Sequence, residues 1–132
     1  MTNKREFVYL ASPYTCNKDG KEFGDGYERK MIQNMRFMQV CHAACAMMHQ
    51  GIFVYSPIAH TVPIARFGLP DGYEFWREYD HEILRRMDKL VVLMLDGWET
   101  SVGVQDEIAF MTELGKPVEY LELHDVIGTI TP

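Results

Sequence analysis

Four short apolar runs, at residues 7–11, 52–56, 90–95 and 117–123, are separated by longer stretches in which apolar residues recur at helical spacing. Runs of that length, rich in Val, Ile, Leu and aromatic residues, read as strands. Strands alternating with helices leave few architectures open. They call for βαβ crossovers and a mainly parallel sheet with helices on both faces. The expected fold is therefore an α/β three-layer sandwich of the Rossmann or flavodoxin type with four to five strands. Its 132 residues, 47% hydrophobic, suit one domain spanning residues 1–132.

Three helices are expected. The first begins near Asp25, where Asp25-Gly26-Tyr27-Glu28 has capping-box spacing, and runs to a stop at Gly51, with Met31, Met35, Met38 and Cys45 forming one stripe. A second follows a similar signal at Asp71-Gly72-Tyr73-Glu74 and passes through Trp76, Tyr79, Ile83 and Met87. The third runs from about Ser101 to Leu114 and ends at Gly115-Lys116-Pro117. The polar stretch at residues 16–24, which holds Gly20 and Gly24, reads as a mobile loop near the site.

Charge narrows the ligand. A net charge of −6 opposes binding to a nucleic acid polymer, which clustered Lys and Arg would hold. A small molecule is the better partner. No apolar stretch reaches membrane-spanning length, the N-terminus lacks signal-peptide character, and three cysteines without disulfide-framework spacing suit a cytoplasmic protein. Cys41, Cys45 and His49 share a helical face but have no evident fourth ligand, so neither a metal nor another cofactor is expected. Gly-x-Gly-x-x-Gly and P-loop patterns are absent, which disfavours a dinucleotide-dependent dehydrogenase and a P-loop enzyme.

In a parallel sheet, ligands gather beyond the carboxyl ends of the strands. The informative residues are then Ser12-Pro13-Tyr14, residues 56–60 and residues 96–107. Ser101 and Gly103 lie between a strand and a helix, where a hydroxyl and close backbone approach suit a phosphate; Ser101 equally suits a helix cap. Glu107, one to two turns into that helix, suits attack on an anomeric carbon, although an early helical turn also favours a surface Glu. Asp80, among Trp76, Tyr79 and Ile83, has the surroundings that raise a carboxyl pKa and make a general acid; an exposed helical Asp is the ordinary alternative. His60 fits either a phosphate contact or a turn. Tyr14 fits either a hydroxyl orienting Glu107 or packing beneath the 16–24 loop, and Trp98 fits either base stacking or core closure.

In their order, these features resemble the nucleoside 2-deoxyribosyltransferase superfamily, including the deoxynucleoside 5'-monophosphate N-glycosidases. The resemblance runs from Phe7-Val8-Tyr9-Leu10-Ala11-Ser12 through Tyr79-Asp80 and Asp88-Lys89-Leu90-Val91-Val92 to Ser101-x-Gly103-Val104-x-x-Glu107 and Gly115-Lys116-Pro117. It implies cleavage of an N-glycosidic bond in a nucleoside or nucleotide, with Glu107 as nucleophile and Asp80 assisting departure of the base. It also implies Ser12, Ser101 and His60 on the phosphate side and an oligomer of two or more copies, for which the Tyr73-Phe75-Trp76 cluster is one candidate contact. Where the monophosphate branch has an Arg and a Gly-rich turn after the first serine, this chain has Pro13-Tyr14-Thr15, leaving Arg66 or Arg77 as substitutes. An NAD-like or modified-nucleotide glycohydrolase and a non-catalytic nucleotide sensor are the alternatives.

Overall fold

The computed structural model describes residues 5–15, 26–70 and 72–128. In chain order these form β1 (Phe7–Ala11), α1 (Gly26–His49), β2 (Phe53–Tyr55), α2 (Pro57–Ala65), α3 (Tyr73–Leu84), β3 (Lys89–Leu93), a 3₁₀ turn (Trp98–Thr100), α4 (Val102–Glu113), β4 (Val118–Leu121) and α5 (Leu123–Ile127). The four strands make one sheet in the order β2-β1-β3-β4, and every neighbouring pair is parallel. This is the expected α/β sandwich.

Both faces of the central strands are buried, which explains their almost unbroken apolar sequence. Val8, Leu10, Val91 and Leu93 point to one side, where they meet Val40, Ala43, Ala44 and Met47 of α1 and Val126 of α5. Tyr9, Ala11, Leu90 and Val92 point to the other, against Leu84 of α3 and Val104 and Met111 of α4. The chain leaves β1 toward β2 on one side and β3 toward β4 on the other. The switch therefore falls between β1 and β3, the place where such sheets ordinarily collect ligands beyond the strands' carboxyl ends.

Two helix ends follow their sequence signals closely. Gly51 and Gly115 both have left-handed φ, at 83° and 73°. At the second, the Gly115 N–H donates to the Thr112 carbonyl and the Lys116 N–H to that of Met111, closing the last turn of α4. The Lys116 ammonium then donates to the Arg85 and Met87 carbonyls, tying this end to the turn before β3.

Other expectations need correction. The Met31, Met35, Met38 and Cys45 stripe is exposed, not buried. Small residues, Ala43, Ala44 and Ala46, carry α1 against the sheet because they let the helix axis approach closely. α3 starts at Tyr73 with Gly72 at the N-cap, one residue later than the capping-box reading, and stops at Leu84, short of Met87. Asp71, Asp25 and the 16–24 loop lie outside the described residues. Neither α2 nor α5 was expected. α2 follows from Ser56-Pro57: the serine hydroxyl accepts the Ala59 N–H at 3.0 Å, and proline suits the first helical position.

Arg36 is the charged exception inside α1. It is 3% exposed and donates to the Tyr14 carbonyl at 3.2 Å and the Asp96 carbonyl at 2.7 Å. These acceptors lie just beyond β1 and β3, on either side of the switch point. Among the described residues no helix is long and apolar enough to cross a membrane.

Candidate active site

Strand alternation points the Tyr9 side chain toward α3 and α4, and its hydroxyl donates to Glu107 Oε2 across the interface. Glu107 lies three residues after Val104 and four before Met111, on the inward stripe of α4. It is only 7% exposed. Burial lifts its carboxyl to about 8; the Tyr9 hydrogen bond acts in the opposite direction, and Asp80 and Asp106 add to the rise. Burial likewise keeps the Tyr9 hydroxyl protonated, well above its ordinary value, with the negative charges of Glu107 and Asp80 reinforcing the shift.

Asp80 comes from α3 to the same place. Its Oδ1 is buried without a hydrogen-bond partner among the described residues. Burial, followed by repulsion from Asp106, lifts its carboxyl to about 7. A buried carboxyl oxygen left unpaired is costly to the fold, and the Asp80 charge also raises the Glu107 carboxyl. Tyr55 of β2 closes another side. Its ring lies 5.8 Å from that of Tyr9 and 5.4 Å from that of His60, and burial and then Asp80 raise its hydroxyl pKa.

Asp106, adjacent to Glu107, faces a different set of groups. It accepts from Arg77 Nε at 3.0 Å and lies 2.6 Å from His81 Nε2, while the His81 ring stacks on Phe110 at 3.9 Å. Of the two arginines expected as substitutes, Arg77 is thereby committed to Asp106, which leaves Arg66, whose charge acts on the Tyr14 hydroxyl.

The other expected residues divide. Ser12 is buried just after β1, and its hydroxyl oxygen has no hydrogen-bond partner among the described residues. Ser101 caps α4, accepting the Val104 N–H at 3.2 Å. Gly103 is exposed in the first turn of α4, and a methyl group added there would meet nothing within 4 Å. The fold itself does not require glycine at this position. His60 sits on α2 with its Nδ1 3.5 Å from the Tyr55 hydroxyl oxygen. Trp98 packs against Tyr120 at 5.5 Å and joins the core on the α3/α4 side, the core-closing alternative. The hydroxyl that meets Glu107 is that of Tyr9, not Tyr14; Tyr14 lies past the strand end and offers its carbonyl to Arg36.

Tyr9 and the His81–Asp106 pair are absent from the sequence-based candidates. The strand period could have shown which face Tyr9 takes, but not which helical carboxyl it would meet. Cys41 is half-buried and Cys45 exposed, and among the described residues no group of three or more His, Cys, Asp or Glu side chains is placed to hold a metal. A groove of about 510 Å³ between α1, α5 and the end of β3 includes Met35, Arg36, Asp96 and Leu123 but neither Glu107 nor Asp80. Chemistry, not volume, marks the carboxylate side as the active-site candidate: it joins a buried and a half-buried acid, a carboxyl oxygen without a partner among the described residues and a hydroxyl donor.

A comparison with curated proteins found no match. The family described as a domain of unknown function, DUF1937, matches residues 6–123, from the edge of β1 to the first residue of α5. That span includes Tyr9, Ser12, Tyr55, Asp80, Ser101 and Glu107, so the carboxylate site lies wholly within it, and the chain belongs to the DUF1937 family.

Proposed function

We propose that this protein cleaves the N-glycosidic bond of a nucleoside or nucleoside 5'-monophosphate, with Glu107 as nucleophile and Asp80 as general acid and base. The observation that carries this reading is the buried Glu107 carboxyl beside the half-buried Asp80, both with raised pKa values and the first accepting the Tyr9 hydroxyl. Asp80 donates its proton to the departing base as the C1'–N bond breaks. The Glu107 carboxylate attacks C1' and forms a glycosyl ester. Asp80, now ionised, takes a proton from water as the water oxygen attacks C1', releasing the sugar and restoring Glu107. A second base in place of water gives transfer.

This sequence requires one proton on the pair, and on Asp80. With Glu107 near 8 and Asp80 near 7, the free site favours the first charge on Asp80, so the reactive form is its tautomer. Donation from Tyr9 supports charge on Glu107 and helps populate that form. Base release is therefore expected to be bell-shaped in pH, falling below about 7 as the pair gains its second proton and above about 8 as it loses its last. Tyr9→Phe should move the alkaline limb upward, because the lost hydrogen bond held the Glu107 carboxyl down, and lower the rate about tenfold as the reactive tautomer becomes rarer. An unchanged limb would remove Tyr9 from the mechanism.

Several features support a 5'-phosphate beyond the sugar. The N-terminus of α4 offers N–H groups beside Ser101, open space faces Gly103, and Ser12 has a buried hydroxyl without a partner among the described residues. His60 and Arg66 are nearby candidates for its outer oxygens. The same reading places the enzyme in the cytoplasm as an oligomer. The direct test incubates the protein with ribo- and deoxyribonucleosides, their 5'-monophosphates and NAD, and measures free base by chromatography. Release from one nucleoside or monophosphate class is expected. Nicotinamide release alone would redirect the assignment, and no base from any compound, with tight nucleotide binding, would replace catalysis by sensing.

A further inference from the structure

α1 carries a long, largely apolar row that is exposed among the described residues. Tyr27, Met31, Met35 and Met38 are 74%, 55%, 52% and 61% exposed, and the exposed residues His42, Cys45 and His49 extend the row. The steps alternate between three and four residues from Met31 to His49, the spacing of a seam between two helices packed side by side. Charge is missing as well. From Met31 to Ala65 the only Asp, Glu, Lys or Arg is Arg36, which is turned inward, in a chain of which 24% is charged. A helix face meant for water would ordinarily carry Lys and Glu. This one is built to be covered.

Its chemistry distinguishes the possible occupants. A membrane-surface helix borders its apolar face with Lys and Arg, which this row lacks, and a net charge of −6 opposes an anionic membrane. A charged peptide would find no opposite charge along the row. A second copy of this chain offers an identical seam, and two copies carrying −6 each can approach most easily through surfaces without charge. The aromatic cluster at the start of α3 is a poorer contact. Its Phe75, Trp76 and Tyr79 rings pack edge-on against one another at 4.7 and 5.9 Å, among Glu74, Arg77 and Glu78.

We propose that two copies of this chain pair through α1, antiparallel, about a two-fold axis at Met38. This arrangement sets Met38 against Met38, Met35 against His42, Met31 against Cys45 and Tyr27 against His49, a self-complementary contact. Parallel pairing would instead bring the Glu28-Arg29-Lys30 segments of the two copies together, like charge beside like. The 24 residues of α1 span roughly 36 Å at the usual helical rise, long enough for all these layers. The contact lies across the sheet from Glu107 and stands independently of the glycosidase assignment.

Light scattering should give twice the 15.3 kDa of one chain for the wild-type protein and a single-chain mass for Met38→Glu. Position 38 is exposed, so the new carboxylate remains hydrated in the monomer, and an unchanged far-ultraviolet circular dichroism spectrum would confirm folding. In a background with Cys16→Ser, Cys41→Ala and Cys45→Ala, Met38→Cys should form an intermolecular disulfide on mild oxidation. A wild-type monomer across a concentration series, a dimer that survives Met38→Glu, or a dimer that resists this cross-link would each overturn the proposal.

Discussion

Glu107→Ala should slow base release by about 10³-fold or more, which corresponds to roughly 4 kcal/mol or more of lost transition-state stabilisation. The substitution removes the carboxylate that would form the glycosyl ester and deprives the Tyr9 hydroxyl of its acceptor. Its effect should fall on kcat, because the residues proposed to hold the phosphate, Ser12 and Ser101, are not altered. The shortened side chain also leaves a buried space in which a small external anion can replace the missing nucleophile. Formate or azide should therefore restore turnover, with azide yielding a glycosyl azide. A residual rate within about tenfold of wild type would exclude Glu107 as the nucleophile.

The second large effect concerns stability and has the opposite sign. In the unfolded chain both carboxyls titrate near pH 4, whereas in the fold Glu107 and Asp80 are raised to about 8 and about 7. Between these values the folded protein retains protons that the unfolded chain has released. Stability from these groups is complete below about pH 4 and is lost as pH rises toward 8. Glu107→Gln can still accept the Tyr9 hydroxyl but never has to ionise. At pH 9 it should be more stable than wild type by on the order of 3 kcal/mol, about 10 °C in Tm for a chain of this length. At pH 4 the two should melt together. Equal differences at both pH values would show that the Glu107 proton is not what the fold retains.

A protein that gains stability when its candidate nucleophile is neutralised has placed charge where packing alone would not put it. That conflict explains why parts of the site were readable before the fold and others were not. Glu107 stands out through the resemblance of its Ser101-x-Gly103 segment, since an early helical turn alone also suits a surface Glu, and only the fold shows it buried with Val104 and Met111. Asp106 beside it is conspicuous only in three dimensions, once Arg77 and His81 converge on it from α3. Tyr9 belongs to both the core and the site, so its apolar surroundings concealed the role of its hydroxyl. The strands were legible because burial on both faces leaves nearly continuous apolar runs. α1 was legible as a helix but not in its orientation: its methionines are the bulkier apolar residues, yet the alanines make the close contact with the sheet. α2 was obscured by Pro57 and Pro63, although the first of these helps it begin.

Arg36 gives this end of the sheet a mechanical property. Its guanidinium grips backbone carbonyls at Tyr14 and Asp96, so the two loops cannot part without stretching charge-assisted hydrogen bonds inside the protein. It thus acts as a gauge block set from behind the sheet. The spacing between the ends of β1 and β3 is thereby set by the fold before any ligand arrives.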